Sequence, residues 1–140
     1  MNSPLYTTEL LRLAASLGDP HPLEREDGSA DVRSPTCGSR IRMAVQLDRE
    51  RRVEALSMQV QACAFGQASA ALVEQHSHGR SADELAKALV DVKSWLEGET
   101  EEPAGWPGIQ ALEAARTRTG RHGAILLPFR ALLGAIEAAP

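Results

Sequence analysis

The chain has 140 residues, 43 % of them apolar but only 4 % aromatic, and a net charge of −4 with an isoelectric point of about 5.6. That length suits one domain, residues 1–140, with a core of Leu, Val, Ile and Ala, and the acidic balance argues against nucleic acid as a partner. No stretch approaches the roughly 20 apolar residues of a membrane span, Met1-Asn2-Ser3-Pro4 does not open a signal peptide, and two cysteines are too few for a secreted disulfide framework, so cytoplasmic residence with reduced thiols is expected.

Thr7 or Thr8 is placed to cap a short helix ending near Ser16, with Leu10, Leu11, Ala14 and Leu17 as its apolar stripe. Gly18-Asp19-Pro20 stops it, and residues 21–34 turn polar and charged, as an exposed loop or one that orders on docking does. From Ser39 to Asp48 the chain alternates: Ile41, Met43, Val45 and Leu47 share one face, and Arg40, Arg42, Gln46 and Asp48 the other. That is the period of a half-buried antiparallel strand. Arg49-Glu50-Arg51 makes a polar turn, and Val53 to Gln61 predicts a second strand with Leu56, Met58 and Val60 inward and Ser57, Gln59 and Gln61 outward. A hairpin alone is marginal, so a third strand is needed, and Ala30 to Arg33 is the best candidate.

Ala64 to His78 takes on helical spacing through Phe65, Ala68, Ala71, Leu72 and Gln75, with Gly79 as its natural end. Ser81-Ala82-Asp83-Glu84 is a capping-box signature, and Leu85, Leu89, Val92 and Leu96 carry a helix behind it to about Glu97. Residues 98–108, rich in Gly, Pro and Glu, predict a loop. A short helix from Ile109 to Arg116 and a last one from His122 or Gly123 to Ala138 follow, Pro128 being tolerable only in its first two turns. There are no internal repeats. The expected fold is α+β: a small antiparallel sheet of about three strands covered on one face by helices.

The residues with chemistry to offer lie where elements change. Cys37 stands just before the first strand of the hairpin and Cys63 just after the second. In antiparallel strands those two ends are neighbours, so sulfurs 26 positions apart in sequence are predicted to lie at one sheet end. Cys63 also opens a helix, whose amide dipoles favour a thiolate. His122, at the start of the last helix, is the best-placed third ligand for a thiophilic ion. On spacing alone two inert buried thiols and a solvent-facing histidine are an equal alternative. His21, His76 and His78 fall elsewhere. Arg40, Arg42, Arg49, Arg51 and Arg52 near the hairpin, and Arg116, Arg118 and Arg121 before the last helix, suit either an acidic protein partner or a solvated face.

Three stretches in order, with the hairpin between the first two, carry a resemblance: Ser34-Pro35-Thr36-Cys37-Gly38-Ser39, then Gln61-Ala62-Cys63-Ala64-Phe65-Gly66-Gln67-Ala68-Ser69-Ala70, then Arg121-His122-Gly123-Ala124-Ile125-Leu126-Leu127-Pro128-Phe129. Over about Ser3 to Ala135 the chain resembles the NifU/IscU-type iron–sulfur cluster assembly scaffolds, and more closely their SufU-like bacterial branch. The resemblance implies a site of three cysteines and an aspartate for a nascent cluster or zinc. Cys37 and Cys63 match two of those cysteines, Ser39 stands at the aspartate, and Gly123 stands at the third cysteine, directly after His122. It further implies a non-enzymatic scaffold or accessory protein that binds iron, zinc or a transient iron–sulfur cluster through Cys37, Cys63 and His122, with Ser39 at the site's edge. Its implied partners are a cysteine desulfurase, meeting the Arg-rich strand face and the last helix, and acceptor proteins. The rival readings are a sulfur carrier using Cys63 and an interaction module that kept the fold and lost the site. A [2Fe–2S] cluster asks for four protein ligands, and the present set supplies three good ones.

Overall fold

The computed structural model describes residues 6–35 and 38–140. Its elements are α1 (Thr8–Ala15), β1 (Gly28–Arg33), β2 (Arg40–Leu47), β3 (Val53–Gln61), α2 (Ala64–His76), α3 (Ala82–Leu96), 3₁₀ segments at Ile109–Thr117 and Thr119–Arg121, and α4 (His122–Ala138). The strands form an antiparallel sheet in the order β1-β2-β3, so the third strand falls where the sequence calls for it, two residues longer at its start.

The alternation in the hairpin sets the layers. Register pairs Ile41 with Val60, Met43 with Met58 and Val45 with Leu56, and all of these except the half-buried Val60 are buried. Helix α4 lies across this inner face against β1 and β2, with α2 and α3 packed on α4 and α1 packed on α2. Helix and sheet approach closely at Gly28: a Cβ there would stand 2.0 Å from the Ala135 carbonyl oxygen. Only a glycine lets the C-terminal half of α4 settle on the start of β1.

The outward face departs from expectation. Gln46 and Ser57 point away from the helices yet are buried, because the segment before β1 folds over that face. The His21 N–H donates to Ser57 Oγ at 2.8 Å, and the Arg25 N–H donates to Gln46 Oε1 at 3.2 Å. Asp27 accepts from the Leu47 N–H at 2.7 Å. The polar run 21–34 is therefore partly strand and partly a strap tied down by backbone donors.

The helices follow their signals with three corrections. Thr7 caps α1 by accepting from the Leu10 N–H, and Leu10 and Ala14 are buried, but Leu11 is about half exposed at 48 %. Helix α2 is buried nearly all round, including Gly66, Ser69, Ala70 and Val73 outside the predicted stripe, because α1 and α4 both pack on it; Gln75 is exposed. Residues Ile109 to Thr117 are 3₁₀ rather than α-helical. Their buried side chains, Ile109, Leu112 and Ala115, recur every third residue, the period of a 3₁₀ turn. The capping box of α3 is present, Ser81 and Glu84 satisfying each other's backbone amides. In the loop before the 3₁₀ segment Trp106 is buried, donating from its indole N–H to the Leu72 carbonyl at 3.1 Å and standing edge-on to Phe129 with ring centres 5.0 Å apart. Pro128 sits in the second turn of α4.

Candidate functional site

Four elements meet at one end of the sheet. Arg40 opens β2 opposite Gln61, which closes β3, and Arg33, which closes β1, pairs with Arg40 as well. Two residues beyond Gln61, Cys63 is the N-cap of α2, half-buried against the core, with a free thiol and no capping hydrogen bond from its own side chain. The connection from β1 to β2 arrives at the same end, where the Ser34 N–H donates to the Ser39 carbonyl at 2.9 Å and Gly38 takes a left-handed φ of 73°. The start of α4 completes the group.

What draws α4 to this end is the small-residue contact with α2. A Cβ on Gly66 would lie 2.6 Å from the Ala62 Cβ and 3.3 Å from the Ala124 Cβ, so the first turns of the two helices touch across a glycine. Ser69, fully buried in the next turn of α2, donates from its hydroxyl to the Ile125 carbonyl at 2.6 Å. These contacts hold the first turn of α4, with His122 and Gly123, beside the first turn of α2, with Cys63. In the sequence Gly66 and Ser69 stand only as parts of a motif, because their role depends on a helix more than 50 positions away.

His122 is half-buried, and its Nε2 lies 2.8 Å from the Ala115 carbonyl oxygen. A carbonyl only accepts, so Nε2 carries the proton and, in the neutral ring, Nδ1 keeps the lone pair. Fixing one ring nitrogen on a backbone carbonyl is how metal-binding histidines are commonly oriented. Gly123 has helical backbone in the first turn of α4, so a side chain there meets no left-handed strain. Ser39 is buried at 4 % exposure. Cys37 lies outside the described residues. Among the described residues no group of three His, Cys, Asp or Glu side chains is placed to hold an ion, and a set of Cys37, Cys63 and His122 draws one member from outside them. His76 ends α2 at the far pole, and His21 lies on the strap.

The basic residues sort into two groups. Arg51 donates to the carbonyls of Ile136, Ala139 and Pro140 at the end of α4, and Arg52 pairs with Glu84 at 2.5 Å and donates to the Gly79 carbonyl. Arg116 donates to the carbonyls of Trp95 and Thr100 and stacks near the Trp95 ring. These three brace the fold rather than offer a docking face. Arg40 instead forms a two-nitrogen pair with Asp31 on the outer sheet face. The most voluminous cavity described, about 670 Å³ between Arg25, Asp48, Arg51, Glu54 and Pro140, lies at the pole opposite Cys63 and is crossed by ion pairs and backbone bonds.

A family model described as the NifU-like N-terminal domain matches residues 15–117. No curated protein sequence matches the chain. Among solved structures, the N-terminal part of a nitrogen-fixing NifU-like protein from Brucella abortus is 29 % identical with a TM-score of 0.86, over 96 % of this chain and 93 % of that one. A protein from Fervidobacterium islandicum AW-1, assigned as an iron–sulfur cluster assembly scaffold for the SUF system, superposes with a TM-score of 0.81 over 94 % of this chain and 96 % of its own. At 16 % identity that likeness concerns the fold.

Proposed function

The chain belongs to the NifU-like N-terminal domain family, and from that premise we propose that it serves iron–sulfur cluster assembly, holding iron, zinc or a nascent cluster as cargo at the sheet end that carries Cys63. The cargo's protein ligands are the thiolates of Cys37 and Cys63 and Nδ1 of His122, with Ser39 at the edge. The observation that carries this reading is the His122 ring, held through Nε2 on the Ala115 carbonyl at the start of the helix that Gly66 brings against α2.

The donor set shapes what the site does. Two thiolates and an imidazole match the preferences of zinc or ferrous iron, and a three-ligand set leaves a fourth, exchangeable position. A [2Fe–2S] cluster asks for four ligands, and Gly123 and Ser39 supply neither a thiol nor a carboxylate. A single ion or a loosely held precursor is therefore favoured over a finished cluster, which suits an accessory or hand-over role. Sulfur comes from a cysteine desulfurase, and the cargo leaves to acceptor proteins; the chain itself turns over no small substrate.

The test is metal and acid-labile sulfide analysis after anaerobic purification and reconstitution. Wild type is expected to retain zinc or iron near one ion per chain, Cys63→Ser to lose it, and Gly123→Cys with Ser39→Asp to gain sulfide-containing cluster. Equal and negligible metal in all three leaves a protein-interaction module in place of the metal site.

A further inference from the structure

The outward face of the sheet repeats in rows. At the end that carries Cys63 the first row is Arg33, Arg40 and Gln61, and the second is Asp31, Arg42 and Gln59. Further in come the small side chains Ser29, Ala44 and Ser57, after which the strap takes over. Three guanidinium groups thus share two adjacent rows with one carboxylate. Arg33 and Arg42 are exposed, and no carboxylate among the described residues comes within ion-pair distance of Arg33.

Between these rows is a recess of about 110 Å³ lined by Arg40, Arg42, Gln59 and Gln61 alone. Arginine forks and glutamine carboxamides all present N–H donors, so a small anionic group is the natural complement. The face already shows the contact in cis: Asp31 accepts from Nε and Nη2 of Arg40 at 2.9 and 2.5 Å, with Arg42 3.8 Å away. That pairing holds the Asp31 carboxyl below its ordinary value and raises Arg40. One aspartate offsets one charge of three, leaving the patch cationic on a chain whose net charge is −4.

We propose that this face, Arg33, Arg40 and Arg42 with Gln59 and Gln61, is the docking surface for an acidic segment of a protein partner, one of whose carboxylates enters the Arg40–Arg42–Gln59–Gln61 recess. A nucleic acid is disfavoured: three arginines neutralise too few phosphates on an acidic protein, and the outward positions of the three strands include no aromatic residue to stack a base. The surface adjoins the Cys63 end of the sheet, so a partner seated there is beside the cargo site. This siting rests on the reading of that end as a metal site; the charge complementarity does not.

The experiment titrates the ¹⁵N-labelled full chain with an acetylated octaglutamate peptide, in parallel with inorganic phosphate and with a 12-base-pair DNA duplex. Shifts from the peptide are expected at Arg33, Arg40, Arg42, Gln59 and Gln61, weakening steeply with salt. Arg33→Glu with Arg42→Glu is expected to weaken peptide binding by about tenfold or more. The neutral pair Arg33→Gln with Arg42→Gln gives an intermediate loss, and a control pair, Arg49→Glu with Arg118→Glu, changes little. Peptide binding that survives the Arg33/Arg42 reversal in folded protein, DNA binding at the same residues with higher affinity, or phosphate alone reproducing the full pattern overturns the proposal. Running the peptide titration on Cys63→Ser separates the two readings: docking is expected to persist there whether or not metal is lost.

Discussion

The two ends of the sheet are built on different rules. At the far pole, side chains stitch backbone to backbone: Arg51 reaches three carbonyls at the end of α4, Arg52 joins Gly79 to Glu84, and Asp27 ties the strap to Leu47. Helix α3, which starts at the far pole, is capped by Ser81, whose partner Glu84 also takes Arg52. At the Cys63 end, where α1 also starts with Tyr6 against Phe65, the N-cap residue of α2, Cys63, makes no side-chain capping bond, α4 continues directly from the 3₁₀ turn Thr119–Arg121, and α2 and α4 meet through Gly66 and Ala124. The far pole is braced by side chains that bond backbone carbonyls and amides; at the other end the start of α2 has no side-chain cap, and its dipole favours a thiolate at Cys63.

Both ends rest on one core, and the largest effect is expected from disrupting it. Val45 is fully buried, and Val45→Asp places an unpaired charge there at a cost of about 4 kcal/mol or more. Loss of cooperative thermal unfolding by circular dichroism is expected. Next in size is Gly66→Val, whose added atoms meet Ala62 and Ala124; overpacking of this kind costs about 1–3 kcal/mol. Because it pushes α4 off α2, it is expected to abolish metal binding while the far pole keeps its amide protection in hydrogen exchange. Arg51→Ala is expected to do the reverse.

A finer contrast comes from two cap positions. Ser81→Ala removes a capping box far from Cys63 and is expected to lower stability by about 1 kcal/mol with metal affinity unchanged. Cys63→Ser puts a good capping residue where the backbone is already extended, φ −67° and ψ 174°. It is expected to leave the metal-free protein as stable or slightly more so, and to eliminate metal binding. Denaturant unfolding and metal titration, run side by side, separate the two.

These contrasts mark what was legible beforehand. The alternation of Ile41, Met43 and Val45 determined the hairpin and its inner face, because a period of two has one physical meaning. The third strand was legible as Ala30 to Arg33, and its extension to Gly28 depends on α4 packing there. Gln46 and Ser57 read as solvent-facing because the strap that covers them comes from residues 21 to 36 positions away. Of the candidate ligands, Cys63 and His122 fall at adjoining helix starts, Ser39 is buried at the same end, and Cys37 lies outside the described residues. The bracing roles of Arg51, Arg52 and Arg116 were illegible, since an arginine that donates to distant carbonyls looks the same in sequence as one that waits for a partner.

The smallest expected effect is on pH. Asp27 is held below its ordinary 3.8 by the Arg25 guanidinium and then the Leu47 N–H, and Glu84 below its ordinary 4.5 by Arg52 and then the Ser81 N–H. A carboxyl lowered in the folded state contributes stability that is complete above its ordinary value and fades as pH falls through the lowered one. Both pairs are solvent-exposed and screened, so the contribution is modest. Unfolding midpoints are expected to hold from pH 7 to about 5 and to drop below pH 4, and Asp27→Asn is expected to flatten part of that drop.

The metal-site proposal stands or falls on whether the Cys63 end of the sheet holds a thiophilic ion. Zinc-edge X-ray absorption on anaerobically loaded protein tests it most directly. Two sulfur ligands at about 2.3 Å and one imidazole nitrogen at about 2.0–2.1 Å are expected, with one sulfur lost in Cys63→Ser and the imidazole signal lost in His122→Ala. A shell of oxygen and nitrogen alone, unchanged by either substitution, would contradict it.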